Sequence, residues 1–167
     1  MGHREHRAQA QAQVRCFVLT VSDSRTEDTD SAGRAIVELL TGAGHEVVER
    51  RLVKDEPDQV RSAVAMQLAQ ERVQAIITTG GTGISSRDRS YEAMTGLIEK
   101  RLDGFGELFR ALSFQEIGPA AMLSRAFAGT ARGKILIALP GSEHAVRLAL
   151  TKLVLPELGH LVHEASR

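Results

Sequence analysis

The chain has 167 residues, 43% of them apolar and 4% aromatic, with no tryptophan. That length suggests one domain that buries about two-thirds of the surface exposed by its unfolded form, without help from disulfides, and the shortage of aromatics argues against a base-stacking platform for single-stranded nucleic acid. Lys and Arg number 21 and so do Asp and Glu, so no net charge draws the chain to nucleic acid or to an anionic membrane, and an anionic substrate must be held by local groups.

Residues 1–13 are basic and rich in Ala and Gln, and they lack the apolar core of a secretion signal. They read as a frayed arm, and residues 14–167 as the folded domain. Arg15 to Ser22 is a nearly continuous apolar run, the pattern of a strand buried on both faces. Within it Cys16, the single cysteine, reads as a small buried hydrophobe, in keeping with a cytoplasmic location. A helix begins near Asp30 or Ser31, both natural N-caps, with Ile36, Leu39, Leu40 and Ala43 on one face and Gly42 and Gly44 as its stop. His45 to Val53 is the second strand. Pro57 opens the next helix, whose inner face is Val60, Ala63, Val64 and Leu68. Val73 to Thr79 is the third strand, followed by Gly80-Gly81-Thr82-Gly83 and a polar loop to Asp88. A helix starts near Ser90, and another spans about Gly104 to Ser113. Between Glu116 and Gly133 the pattern is weak, with a strand at Ala126 to Thr130. Lys134 to Leu139 is a strand, and Pro140-Gly141-Ser142 leads into a helix over about Glu143 to Glu164, which Pro156 should bend or interrupt. That helix is apolar around most of its circumference, which fits either deep burial or contact with a second subunit. No stretch reaches the ~18 apolar residues of a membrane helix.

Strands alternating with helices indicate a largely parallel sheet, and ligands bind such sheets at the carboxyl ends of the strands. Four segments each follow a strand: Ser22-Asp23, Asp55, Gly80 to Asp88, and Pro140 to Ser142. The glycine loop suits phosphate, because glycines let successive backbone N–H groups approach an anion and a following helix adds its positive end. It is neither a Walker loop nor a dinucleotide fingerprint. On spacing alone, Asp55 and Asp88 each read as an N-cap. As a functional pair, two carboxylates beside a phosphate loop require a cation, which suits Mg²⁺ held partly through water or phosphate. Ser142 is either a plain N-cap or part of a second anion site. Arg87, Arg125 and Lys134 are candidate counter-charges, and His144 lies beside the second anion site. His160 and His163 are spaced for a metal but have no third ligand and read as solvent-exposed.

Thr78-Thr79-Gly80-Gly81-Thr82-Gly83 with Arg87-Asp88 resembles the signature of the MoaB/MogA family of molybdenum-cofactor biosynthesis. Thr20-Val21-Ser22-Asp23, Gly104 to Arg110, Leu123-Ser124-Arg125 and Leu139 to Ser142 extend the likeness from about Val14 to the C-terminus. The resemblance implies a three-layer α/β/α fold with a mostly parallel mixed sheet, assembled as a homotrimer or homohexamer. It implies transfer of AMP from ATP, as co-substrate, to the terminal phosphate of molybdopterin, with release of pyrophosphate. It places catalysis and Mg²⁺ on Asp55 and Asp88, the nucleotide-binding loop on Gly80, Gly81, Thr82 and Gly83, and the substrate phosphate on Pro140, Gly141 and Ser142. Ser22, Asp23, Arg87, Ser124 and Arg125 fall on the remaining binding motifs. Phe105 to Phe109 and Leu112 to Gly118 look closer to the MoaB branch, and Ser90-Tyr91 stands where many MogA-type sequences carry Thr-Pro. Two further readings follow: a pterin-binding paralogue without turnover, and an oligomeric scaffold in contact with other enzymes of the pathway.

Overall fold

The computed structural model describes residues 10–167. Six strands form one sheet in the order β2-β1-β3-β6-β5-β4: β1 (Arg15–Val21), β2 (Glu46–Val53), β3 (Ala75–Thr79), β4 (Lys100–Arg101), β5 (Phe127–Ala131) and β6 (Lys134–Leu139). The pairs β1·β2, β1·β3 and β3·β6 are parallel, whereas β5 is antiparallel to both β6 and β4. The helices are α1 (Ser31–Gly42), α2 (Pro57–Leu68), α3 (Ser90–Thr95), α4 (Asp103–Ile117), α5 (Glu143–Ala149) and α6 (Leu155–Ala165). The expected mixed, mostly parallel α/β sheet is therefore present.

Period-two alternation divides the core between the two faces of the sheet. Cys16, Val18, Ala75, Ile77, Ile135, Ile137 and Leu139 join α1, α4, α5 and α6 on one face. Phe17, Leu19, Val21, Ile76, Leu136 and Ala138 join α2 and α3 on the other. Chain direction explains the division. From β1 the chain moves outward to β2 and then back across to β3, so right-handed crossovers put α1 and α2 on opposite faces. Strand order reverses between β1 and β3, which opens a crevice at their carboxyl ends. β2 lies at the sheet's margin and is only half-buried, and its Glu46, Glu49, Arg50 and Arg51 deter pairing with another strand.

Several local expectations need correction. The weakly patterned region contains the end of a longer helix, α4, then a 3₁₀ segment over Gly118–Leu123, and β5 one residue later than read. β4 has only two residues and carries no periodic signal. The last helix, by contrast, is interrupted beside Pro156 as expected, by a π-helical turn over Leu150–Val154. A proline has no N–H to donate and crowds the carbonyl four residues back, and the wider turn takes up that mismatch. Its apolar residues are mostly buried or half-buried against the core. The arm read over residues 1–13 lies largely outside the described residues, but Gln11 donates its backbone N–H to the Gly159 carbonyl of α6 at 3.3 Å. No helix among the described residues is long and apolar enough to cross a membrane.

Candidate functional site

A cavity of about 570 Å³ lies over the crevice, within the range of small-molecule sites. Residues after four parallel strands line it: Ser22, Asp23 and Arg25 after β1, Asp55 after β2, Gly80 to Gly83 with Arg87 and Asp88 after β3, and Pro140 to Ser142 after β6. Leu123 and Ser124 close one wall. Of the candidate residues from sequence, Arg125, Lys134 and His144 are absent from the lining.

The loops are bonded to one another. Asp23 accepts the Asp55 backbone N–H at 3.1 Å, and its other oxygen accepts from Arg87 Nε and Nη2 at 3.1 and 2.5 Å. The bonded Arg87 guanidinium holds the Asp23 carboxyl below the usual aspartate range. Asp55 is buried and accepts from Ser90 Oγ at 3.0 Å and the Arg89 N–H at 3.3 Å. Burial raises its pKa, the Ser90 and Arg89 bonds oppose the rise, and the charges of Asp23 and Asp88 reinforce it. Asp88 accepts from the Ser85 N–H at 3.0 Å, which closes the turn beyond the glycine loop.

Neither aspartate caps a helix, contrary to the reading from spacing. The N-cap of α2 is Glu56 and that of α3 is Arg89, and neither makes a side-chain cap bond. Both carboxylates turn toward the loops instead. The helix after the glycine loop begins at Ser90, as read, and its first turn lies against the loop, with the Tyr91 N–H donating to the Gly81 carbonyl at 3.4 Å. What fixes this loop is close approach. Gly80 and Gly81 have φ of +99° and +72°. A Cβ on Gly80 would meet the Val21 carbonyl oxygen at 2.1 Å, and one on Gly81 would meet Ser90 Oγ at 2.1 Å and Asp55 Oδ2 at 2.9 Å. Glycine lets the loop lie against the acidic pair. Thr79 donates to the Pro140 carbonyl at 2.7 Å, which joins this loop to the one after β6.

Of the three proposed counter-charges, Arg87 lines the cavity, paired with Asp23, and the other two are in use elsewhere. Arg125 donates to the Gly83 carbonyl from Nε and Nη2 at 2.9 and 2.6 Å and to the Asp88 carbonyl at 3.2 Å, and it lies 4.4 Å over the Tyr91 ring. It braces the glycine loop from behind. Lys134 opens β6 at the opposite end of the sheet, where it donates to the carbonyls of Gln67 and Gln70. His144 bonds Glu116, and His160 is half-buried against Glu157 at 2.9 Å rather than exposed. Ser142 accepts the Ala145 N–H at 3.2 Å, so it does cap α5 while lining the cavity.

Sequence reasoning missed Thr20, Val21, Arg25, Thr79 and Leu123 in the lining. Thr20 and Thr79 are strand-end residues whose side chains are buried, a pattern that reads as core. Among the described residues no group of three or more His, Cys, Asp or Glu is arranged to hold a metal ion. The donor chemistry still fits magnesium, which takes one or two carboxylates and completes its shell with water and substrate phosphates. A buried carboxylate between two others is also a site that a divalent cation relieves.

The family model for a probable molybdopterin binding domain matches residues 17–160. The chain is 48% identical over 168 residues to a Bacillus cereus protein named molybdenum cofactor biosynthesis protein B, covering 100% of this chain and 99% of the relative. A crystal structure of a molybdenum cofactor biosynthesis protein B superposes with a TM-score of 0.90 at 49% identity, covering 94% of this chain and 98% of the other. The tungsten cofactor synthesizing protein MoaB from Pyrococcus furiosus superposes with a TM-score of 0.84 at 35% identity, covering 95% and 100%.

Proposed function

This chain belongs to the molybdopterin-binding domain family, and we propose that it acts in molybdenum-cofactor biosynthesis by binding molybdopterin and Mg-ATP in the four-loop cavity and transferring AMP to the pterin's terminal phosphate. In this reading it works as a homo-oligomer, a trimer or hexamer. One observation carries the proposal: Asp55, Asp88 and the glycine loop face a single cavity shared with Ser22 and Gly141-Ser142.

The reaction needs little covalent chemistry from the protein. An oxygen of the molybdopterin phosphate attacks the α-phosphorus of ATP, the bond from that phosphorus to the β-bridging oxygen breaks, and pyrophosphate leaves with its electrons. The nucleophile is already anionic, so no general base is required. Catalysis consists of aligning two polyanions and offsetting their charge. Asp55 and Asp88 would hold the magnesium, which when bound neutralises phosphate charge. Asp23, tied to both Arg87 and the Asp55 backbone, keeps three loops in register. Ser90 holds Asp55 by one oxygen, which sets the direction of the other.

The test is incubation with Mg-ATP and molybdopterin, followed by chromatography for adenylyl-molybdopterin, with Asp88→Asn alongside. Product from the wild type and at least a ~100-fold loss in the variant is expected. A folded wild type that yields no product, while a known transferase works in parallel, would favour a pterin-binding protein without turnover.

A further inference from the structure

The proposed reaction brings two polyanions together, and a magnesium ion held by Asp55 and Asp88 would accompany the nucleotide. Asp55 and Asp88 lie on loops that lead into α2 and α3, which pack against each other on one face of the sheet. The loop after β1 leads instead to α1, and Pro140 to Ser142 leads to α5. These two helices pack together on the opposite face. The cavity thus has an acidic half and a second half built from the α1 and α5 loops.

Arg25 lines that second half. Its backbone N–H donates to Ser22 Oγ at 3.0 Å, which fixes the turn. Its Nη1 is buried and has no hydrogen-bond partner among the described residues. The Asp30 carboxylate lies 3.9 Å from that nitrogen, too far for a hydrogen bond. Asp30 is already committed, because it accepts from Thr20 at 2.6 Å, from Arg50 at 2.8 Å and from the Gly33 N–H at 2.9 Å. One carboxylate therefore faces two guanidiniums, and the Arg25 side chain, partly exposed in the cavity lining, is the one it does not hydrogen-bond. The other cations near the cavity are engaged, Arg87 by Asp23 and Arg125 by backbone carbonyls.

We propose that Arg25 is the anchor for the phosphate monoester of the pterin substrate and helps determine specificity for it. This rests on the pterin-binding reading above. A nucleotide arrives with its own metal, whereas a bare monoester needs a cation from the protein. A guanidinium with free donors matches two phosphate oxygens at once. Arg25 touches the substrate in this assignment but not the phosphorus under attack, so its loss acts on binding more than on turnover at saturation.

The experiment titrates the full chain with molybdopterin in the absence of ATP, following pterin fluorescence, for wild type, Arg25→Met and Arg25→Lys. Mg-ATP affinity and transfer are measured in parallel. The methionine variant is expected to lose roughly 10- to 100-fold in molybdopterin affinity, the lysine variant less, with Mg-ATP affinity unchanged. Equal molybdopterin affinity in the folded methionine variant overturns the inference, and so does an equal loss for both ligands. If the methionine variant does not fold, the wild type decides: molybdopterin should shield Arg25 from an arginine-specific dicarbonyl reagent, and no shielding overturns the assignment. A wild type that binds molybdopterin but makes no product removes the transferase reading alone. A wild type that binds none removes both.

Discussion

Burial and two neighbouring carboxylates disfavour the charge on Asp55, whereas metal binding requires it. An acid whose pKa is raised in the fold contributes stability below its unfolded value, and this is lost as pH rises through the folded pKa. At neutral pH without metal, Asp55 is therefore a cost to the fold. Asp55→Asn keeps an acceptor for Ser90 and removes that charge. Its melting temperature without magnesium should equal or exceed that of the wild type near neutral pH, and the difference should shrink on acidification. Its transfer activity should fall by roughly 100-fold or more. For the wild type, magnesium-dependent activity should decline on acidification from a pH above the ordinary aspartate range, near ~3.9. Calorimetry with and without magnesium, beside a pH–rate profile, checks both. A destabilised asparagine variant would show that Asp55 serves the fold rather than the metal. Cys16 has no such role, since burial pushes its thiol up to about 12.

The capping of α1 couples an element to the site. Asp30 is fully buried at its N-cap and bonds the Gly33 N–H, the cavity-lining Thr20 and Arg50 from β2. Burial raises its pKa, but the bonds from Thr20, Arg50 and Gly33 outweigh this and leave it depressed. Its stabilisation is present above the unfolded aspartate value and lost as pH falls through the folded one. Asp30→Ala should cost about 3 kcal/mol, at the low end for a broken buried pair because Arg50 stays partly in water. Urea unfolding should show the cost vanish in acid, and a loss below ~0.5 kcal/mol would leave only ordinary capping at the weak end. Asp30 was legible as a cap because a small polar residue before an apolar helical face has little other use. The four main parallel strands were legible for a similar reason, as short apolar runs bounded by turn residues. The direction of β5 and the existence of β4 were not, since Phe127–Ala131 patterns alike in either direction and two residues have no period. The site was legible where a loop is defined by glycine and carboxylates. It was misread where position along a strand mattered: Lys134 begins β6, whereas the cavity lies at the carboxyl ends. Arg25 carried no signal, because whether an arginine is paired depends on partners far along the chain.

At the scale of the whole molecule, the last helical stretch takes the buried one of the two readings its apolar circumference allowed, and the exposed apolar surface lies on other elements. The last helical stretch turns most of its apolar residues to the core, while Leu108, Phe114, Ile117, Met122 and Leu123 on α4 and the 3₁₀ segment remain more than half exposed. Exposed clusters of this kind on a small protein mark interaction surfaces, and zero net charge leaves little repulsion between copies. The 3₁₀ segment buries only Ala121, yet its last residue, Leu123, lines the cavity beside Ser124. A neighbouring subunit seated on α4 would therefore support one wall of the site as well as cover apolar surface. Light scattering should give a mass three or six times that of the 18.1 kDa chain. Phe114→Glu with Ile117→Glu should lower that mass, because a carboxylate placed in such a contact loses its hydration without gaining a partner. Molybdopterin affinity should fall in the same variant although neither position touches the cavity, while the α/β fold persists by circular dichroism. A monomeric wild type at micromolar concentration would remove the assembly. An assembled wild type whose dissociated variant binds the pterin unchanged would show that the wall formed by Leu123 and Ser124 stands without a neighbour.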